Sequence, residues 1–376
     1  MKDKWAIFAI LVGFLVLATS LSCEAVDTTK IDAVRSKGVL DSKDLRVIDS
    51  FVAGAVAEMV GTRDFTSIGK IRTALLSRSS SEKSSAEAQY AVQLSESAYR
   101  HISAAFEEAD ELTPEDRKVK TIINLLILVD GLEDPRLADL ALERVDDHNM
   151  VVRYWAVHSV TGPGFINKLN SGQNGDLELA RRITGRLGEV VEQSSPEIIG
   201  LITGFAAEVN VPQGKDLLLR IADVRISRYA DWTVEYELLD GTILGLLDKK
   251  MDSGSSTDSE VARRFAQLYS YALQRYVKGR DFLDDTQKQQ LASVLIEIER
   301  SYLGKYVGIA QSTIKRAVEE DAYITLLQEH NRLLGDQTRP GQLPLKLNFD
   351  YGGGSNGGGR TAPLVLPELP VAEVSE

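Results

Sequence analysis

Apolar residues recur at three- and four-residue intervals through most of the chain. Leu45, Ile48, Val52, Ala55 and Met59 make one stripe. Leu177, Ala180, Ile183, Leu187 and Val191 make a second, and Val261, Phe265, Leu268, Ala272 and Tyr276 a third. This spacing is one face of an α-helix. Start signals stand at the heads of such runs: Thr113-Pro114-Glu115-Asp116, Asp134-Pro135 and Ser195-Pro196-Glu197, with weaker versions at Asp176, Asp231 and Asp258. Each places a capping oxygen, and in three cases a proline, where the first orphan amides need them. Gly61, Gly131, Gly279 and Gly335 mark expected helix ends. Runs of period two are nearly absent before residue 340. The pattern predicts an all-α domain over residues 27–335.

After Gly335 the pattern changes. Leu345 to Tyr351 alternates and predicts one strand. A glycine-rich run follows, then Pro363, Pro367 and Pro370. Residues 336–376 are therefore expected to be a flexible, disordered tail. Leu364 to Val371 is apolar within it, and two readings stay open: a docking peptide that binds in extended form, or a terminus without a role.

The N-terminus changes the picture of where the chain works. Lys2 and Lys4 precede an uncharged run from Trp5 to Leu21, and small residues follow up to Ala25. This predicts a signal peptide over residues 1–25, cleaved after Ala25, and an exported product in the periplasm or outside the cell. One alternative is a lipoprotein acylated at Cys23, although Ser20 stands where such signals usually carry leucine. Another is an uncleaved anchor. Membrane association is expected only in those two cases. Cys23 is the single cysteine of the 376 residues, so cleavage leaves no thiol for a disulfide or a metal site. The 43 basic and 55 acidic residues give a net charge of −12. A surface of that sign repels phosphate backbones, so nucleic acid is not an expected partner.

Candidate chemistry adds little. Gly354 to Thr361 has the spacing of a phosphate loop, but Arg360 stands where lysine belongs and prolines follow instead of a helix. Asp146-Asp147-His148 is better read as a polar turn than as a metal site, because adjacent side chains diverge. No helical His/Glu ligand pair and no nucleophile elbow appears. No cofactor is expected. Tyr229, Trp232 and Tyr236 recur at i, i+3 and i+7, and Arg220, Arg225 and Arg228 lie close by. They are read either as core packing and ordinary ion pairs or as a partner-binding patch.

Asp134 to Val160 resembles a HEAT repeat. Leu137, Leu140, Ala141 and Val145 correspond to its first helix, Asp147 to its turn, and Val152-Arg153-Tyr154-Trp155-Ala156 to its second helix. Similar helix-pair starts near Asp134, Asp176, Gln213 and Asp258 are spaced by about forty residues. The resemblance implies an α-solenoid of antiparallel, armadillo-type helix pairs, with Asp147 and Arg153 tying successive repeats together. The expected function is a non-enzymatic scaffold or adaptor of the cell envelope that binds a protein or peptide. The alternatives are an all-α enzyme acting on an envelope or extracellular polymer through a groove carboxylate, and a lipid-anchored tether. Intact-mass measurement of the chain recovered from its native host is expected to show an N-terminus at Val26. A mass retaining Cys23 with acyl groups contradicts the secreted form.

Overall fold

The computed structural model describes residues 28–172, 174–251, 258–307, 312–352 and 359–369. The expected signal peptide, Cys23, most of the glycine run and the last seven residues lie outside them. The described chain is all-α: no strand forms among the described residues, and one isolated antiparallel bridge joins Gly335 to Pro340. No described helix is long and apolar enough to cross a membrane. The helical region expected as one domain packs as two compact units that divide after Val160, and the second includes the tail.

The first unit contains α1 (Thr29–Arg35), α2 (Ser42–Gly61), α3 (Phe65–Leu76), α4 (Ser84–Asp110), α5 (Glu115–Leu132), α6 (Ala138–Leu142) and α7 (Met150–Thr161). Helix α2 starts with a capping box: Asp41 accepts from the Lys43 and Asp44 amides, and Asp44 accepts from the Asp41 amide. Its predicted stripe is largely buried, with Ile48, Val52, Ala55 and Met59 in the core. Helix α2 packs on α4, and α3 on α5. Bidentate pairs fasten elements distant in sequence, Arg78 to Asp32 and Arg144 to Asp110.

The second unit contains α8 (Pro163–Ser171), α9 (Asn174–Val190), α10 (Pro196–Glu208), α11 (Pro212–Ala230), α12 (Leu238–Met251), α13 (Ser259–Lys278) and α14 (Asp285–Ile298). Beyond a π-turn at Glu299–Leu303 come α15 (Gly304–Val307), α16 (Thr313–Glu319), α17 (Tyr323–Leu334) and α18 (Gln342–Leu347). Helices α10, α11 and α12 each touch the next helix and the one after it, and α13 touches α14. That is the packing of an α-solenoid, in which each amphipathic pair needs its neighbour to cover its second apolar face.

The structure departs from the sequence expectations at three places. Asp231 does not start a helix; it closes α11, and α12 begins only at Leu238. Trp232 and Tyr236 both take positive φ, 59° and 54°, in the connection between them. The three aromatic residues therefore do not share a helical face. The alternating run at 345–351 is not a strand: it starts in α18 and turns at Asn348, whose φ is 52°. Leu347, Phe349 and Tyr351 are all buried without a strand partner. Alternation here records apolar anchoring on both sides of a left-handed turn. Finally, α5 starts at Glu115 with Pro114 at the cap, one residue later than Thr113 predicts.

A sealed ionic cluster joins α11 to α12. Arg225 Nε and Nη2 donate to the two carboxylate oxygens of Asp240 at 2.7 and 2.9 Å, and both residues are fully buried. The Tyr229 hydroxyl donates to the same carboxylate at 2.7 Å, and Arg225 Nη1 to the Glu235 carbonyl at 3.0 Å. Removing one partner strands the other charge in the core. Asp240→Ala is expected to destabilise the chain by about 3–5 kcal/mol. Arg220→Ala, on an exposed site of α11, should stay within roughly 0.5 kcal/mol. Urea unfolding followed by circular dichroism measures both.

Candidate functional site

Helix α13 is the centre of the second unit. Phe265 to Tyr276 are buried without a break, so the helix is covered on every side. Asp258 caps it, accepting from the Glu260 and Val261 amides at 3.1 and 3.3 Å. Its stripe of Val261, Phe265, Leu268, Ala272 and Tyr276 lies in the core as predicted. Polar side chains follow a different stripe, at Gln267, Ser270, Gln274 and Lys278. These are one heptad-like row, and their cover is the chain's own tail.

Residues 363–369 lie extended along that row. Gln267 accepts from the Leu364 amide at 2.7 Å and donates to the Leu364 carbonyl at 3.3 Å. One turn pair further on, Gln274 accepts from the Leu366 amide at 2.7 Å and donates to the Leu364 carbonyl at 3.1 Å. Lys278 Nζ donates to the Leu366 carbonyl at 2.7 Å and meets the Glu368 carboxylate at 2.6 Å. Trp232 Nε1 donates to the Pro367 carbonyl at 3.1 Å. The Leu366 side chain is fully enclosed. Glutamine amides thus replace the neighbouring strand that an extended segment ordinarily pairs with.

Two features fix the root of the tail. Tyr351 donates its amide to the Arg360 carbonyl, and Arg360 returns its own to the Gly352 carbonyl, closing the glycine loop. Thr361 then donates its hydroxyl to the Asp336 carbonyl at 2.8 Å. The tail passes over Gly335, whose φ is 105°. A Cβ there would lie 2.2 Å from the Thr361 carbonyl oxygen, so only glycine fits. Arg360 and Thr361, the last residues of the phosphate-loop spacing, are both turned to backbone carbonyls.

A relay of hydrogen bonds supports the row from behind. His330 is buried, which pushes its imidazole below the ordinary histidine value, so it is neutral at pH 7. Asn331 Oδ1 lies 3.0 Å from His330 Nδ1 and can only accept, so Nδ1 carries the proton. His330 Nε2 then accepts from Ser270 at 2.8 Å, and Ser270 Oγ accepts from Gln274 at 2.8 Å. The order Ser-His-Asn has the look of a hydrolytic site, but Ser270 is sealed inside the helix. Its role is to orient Gln274. Beside the tail runs a cleft of about 280 Å³, lined by Gln274, Lys278, Leu327, His330 and Val365 among others.

The six residues expected as a partner patch divide. Tyr229 and Arg225 are buried in the Asp240 cluster and offer no surface. Arg228 donates to the Glu192 and Ser194 carbonyls at 2.8 Å each and holds the connection before α10. Arg220 and Tyr236 are exposed. Trp232 alone binds a peptide, and the peptide is the tail. Its ring packs edge-on against Phe282, with the Arg275 guanidinium 5.4 Å from its centroid. Asp147 accepts from the Asn149 amide at 2.8 Å, within its own turn. Among the described residues no hydrogen bond or ion pair links it to Arg153, whose Nε is buried without a hydrogen-bond partner.

Burial raises the carboxyl pKa of Glu237 above its ordinary value. Arg275 lies 3.2 Å away and opposes that rise, yet no aligned hydrogen bond forms between them. Glu237 lines neither that cleft nor a shallow apolar one beside Leu45 and Val92. Among the described residues no three His, Cys, Asp or Glu side chains gather as a metal set.

Gln274→Ala removes two of the tail's main-chain bonds. Hydrogen exchange at the Leu366 amide is expected to speed up by roughly tenfold or more, the equivalent of one lost hydrogen bond. The α2 amides should be unaffected.

No family model matches the chain, and no curated protein matches it. A crystal structure described as that of an engineered protein aligns over 87% of this chain and 95% of its own, at 12% identity and a TM-score of 0.26. A likeness that low carries no argument about fold or role.

Proposed function

We propose that the chain is an exported, non-enzymatic helical-repeat scaffold of the cell envelope whose peptide-binding surface is the polar row of α13. The observation that supports this best is the seat itself: Gln267 and Gln274 bond the main chain of an extended segment at two alternate residues. Such contacts give affinity without demanding a long motif, as strand addition does at a sheet edge. The stacking of α10 to α14 supports a HEAT-like kinship, since α10, α11 and α12 each meet the helix two further on. The signal-like N-terminus supports export. Asp147 and Arg153 keep their proposed inter-repeat role only through the resemblance.

The reading is tested by cross-linking the full-length chain in an envelope fraction, with and without Gln267→Ala and Gln274→Ala together. A protein cross-linked to the wild type and lost from the folded double variant is the expected result. Cross-links indifferent to both substitutions, or none at all, contradict it.

A further inference from the structure

The contacts that hold the tail are ones that many extended chains can make. Five of the seat's bonds go to main-chain groups of residues 364 and 366, and Trp232 adds one to the carbonyl of 367. Side-chain recognition falls at three places: the buried Pro363, the enclosed Leu366, and Glu368 at Lys278. Leu364 and Val365 are 46% and 64% exposed, so their identity is barely read.

The seat is also built to be emptied. Gln267, Gln274 and Lys278 are polar, and water can satisfy them once the peptide leaves. The sites under Pro363 and Leu366 are closed. An exposed apolar ridge extends the groove: Ile324 is 75% exposed and Leu327, one turn on, 42% exposed and a wall of the cleft. The described residues of the tail leave this ridge exposed.

We infer that residues 362–369 are an internal stand-in for a partner, and that the α13 groove takes an extended acidic peptide from another protein. That peptide carries leucine at the place of Leu366, proline after it and a carboxylate at the place of Glu368. The inference rests on the scaffold reading. Proline at the middle position favours the extended form before binding, and Lys278 selects the acid. The tail's root is stapled at Arg360 and Thr361 to its own unit. A second copy's tail can therefore enter only if two grooves come face to face, whereas a partner's segment has no such tether. The tail acts as a tethered competitor, and its high effective concentration sets the affinity a partner must exceed.

The probe is a fluorescein-labelled peptide of residues 362–369, titrated against the full-length chain by anisotropy. Leu366→Asp in the chain releases the tail, and the peptide is expected to bind this variant at least tenfold more tightly than wild type. The same peptide with aspartate at its own Leu366 position should not bind. A folded Leu366→Asp chain that binds no better than wild type overturns the inference. Should that variant fail to fold, Glu368→Lys serves instead, because Glu368 is exposed and its reversal opposes Lys278. A several-fold gain in peptide affinity supports the inference, and no gain overturns it. A wild-type chain that dimerises with concentration, and loses the dimer on Leu366→Asp, assigns the groove to a second copy and overturns the partner reading. Absence of an envelope cross-link contradicts the scaffold while leaving the peptide titration readable, so the two failures are distinct.

Discussion

A helix enclosed on all sides loses stability for each polar group it leaves unbonded, and on α13 the Tyr269 hydroxyl is one that stays so. Helix α13 carries Gln267, Ser270, Gln274 and Arg275 into the interior, and each needs a partner there. Arg275 finds Glu237, Ser270 finds His330, and the two glutamines find the main chain of residues 364 and 366. The tail is thus the last wall of the second unit. It is held by amide geometry together with apolar burial: Pro363 and Leu366 are enclosed, whereas Leu364 and Val365 are exposed.

The buried ion pair of Arg225 and Asp240 shapes the other end of that seat. It pins α12 to α11 across a connection in which Trp232 and Tyr236 adopt left-handed backbone. Side chains with a Cβ rarely take that conformation without compensation. Here the compensation is local: the Trp232 amide bonds the Tyr229 carbonyl, and the Thr233 amide the Arg228 carbonyl. The outcome is an indole aimed across the end of α13, where it meets the Pro367 carbonyl. An ionic contact in the core and a peptide contact at the surface are therefore parts of one arrangement.

Much of the fold was legible in the sequence because it follows from local chemistry. The apolar stripes, the Asp258 cap and the Gly335 stop each act within a turn of their own position. The seat was not legible, for reasons that can be named. Glycines and prolines around residues 352–370 read as a linker, since composition cannot reveal that glutamines some ninety positions earlier will bond the backbone there. The i, i+3, i+7 spacing of Tyr229, Trp232 and Tyr236 predicted a shared face that the helix end at Ala230 abolishes. One signal was available: glutamines at 267 and 274, with Lys278 beyond them, among the mostly apolar residues from Phe265 to Tyr276.

The central claim is that Leu366 sits enclosed in a seat made by α13. Its most direct test is thiol accessibility in a chain carrying Cys23→Ser and Leu366→Cys, which leaves one thiol. The account predicts labelling at least a hundredfold slower in buffer than in denaturant, accelerated when Gln267 and Gln274 are both changed to alanine. Labelling as fast in buffer as in denaturant would contradict it.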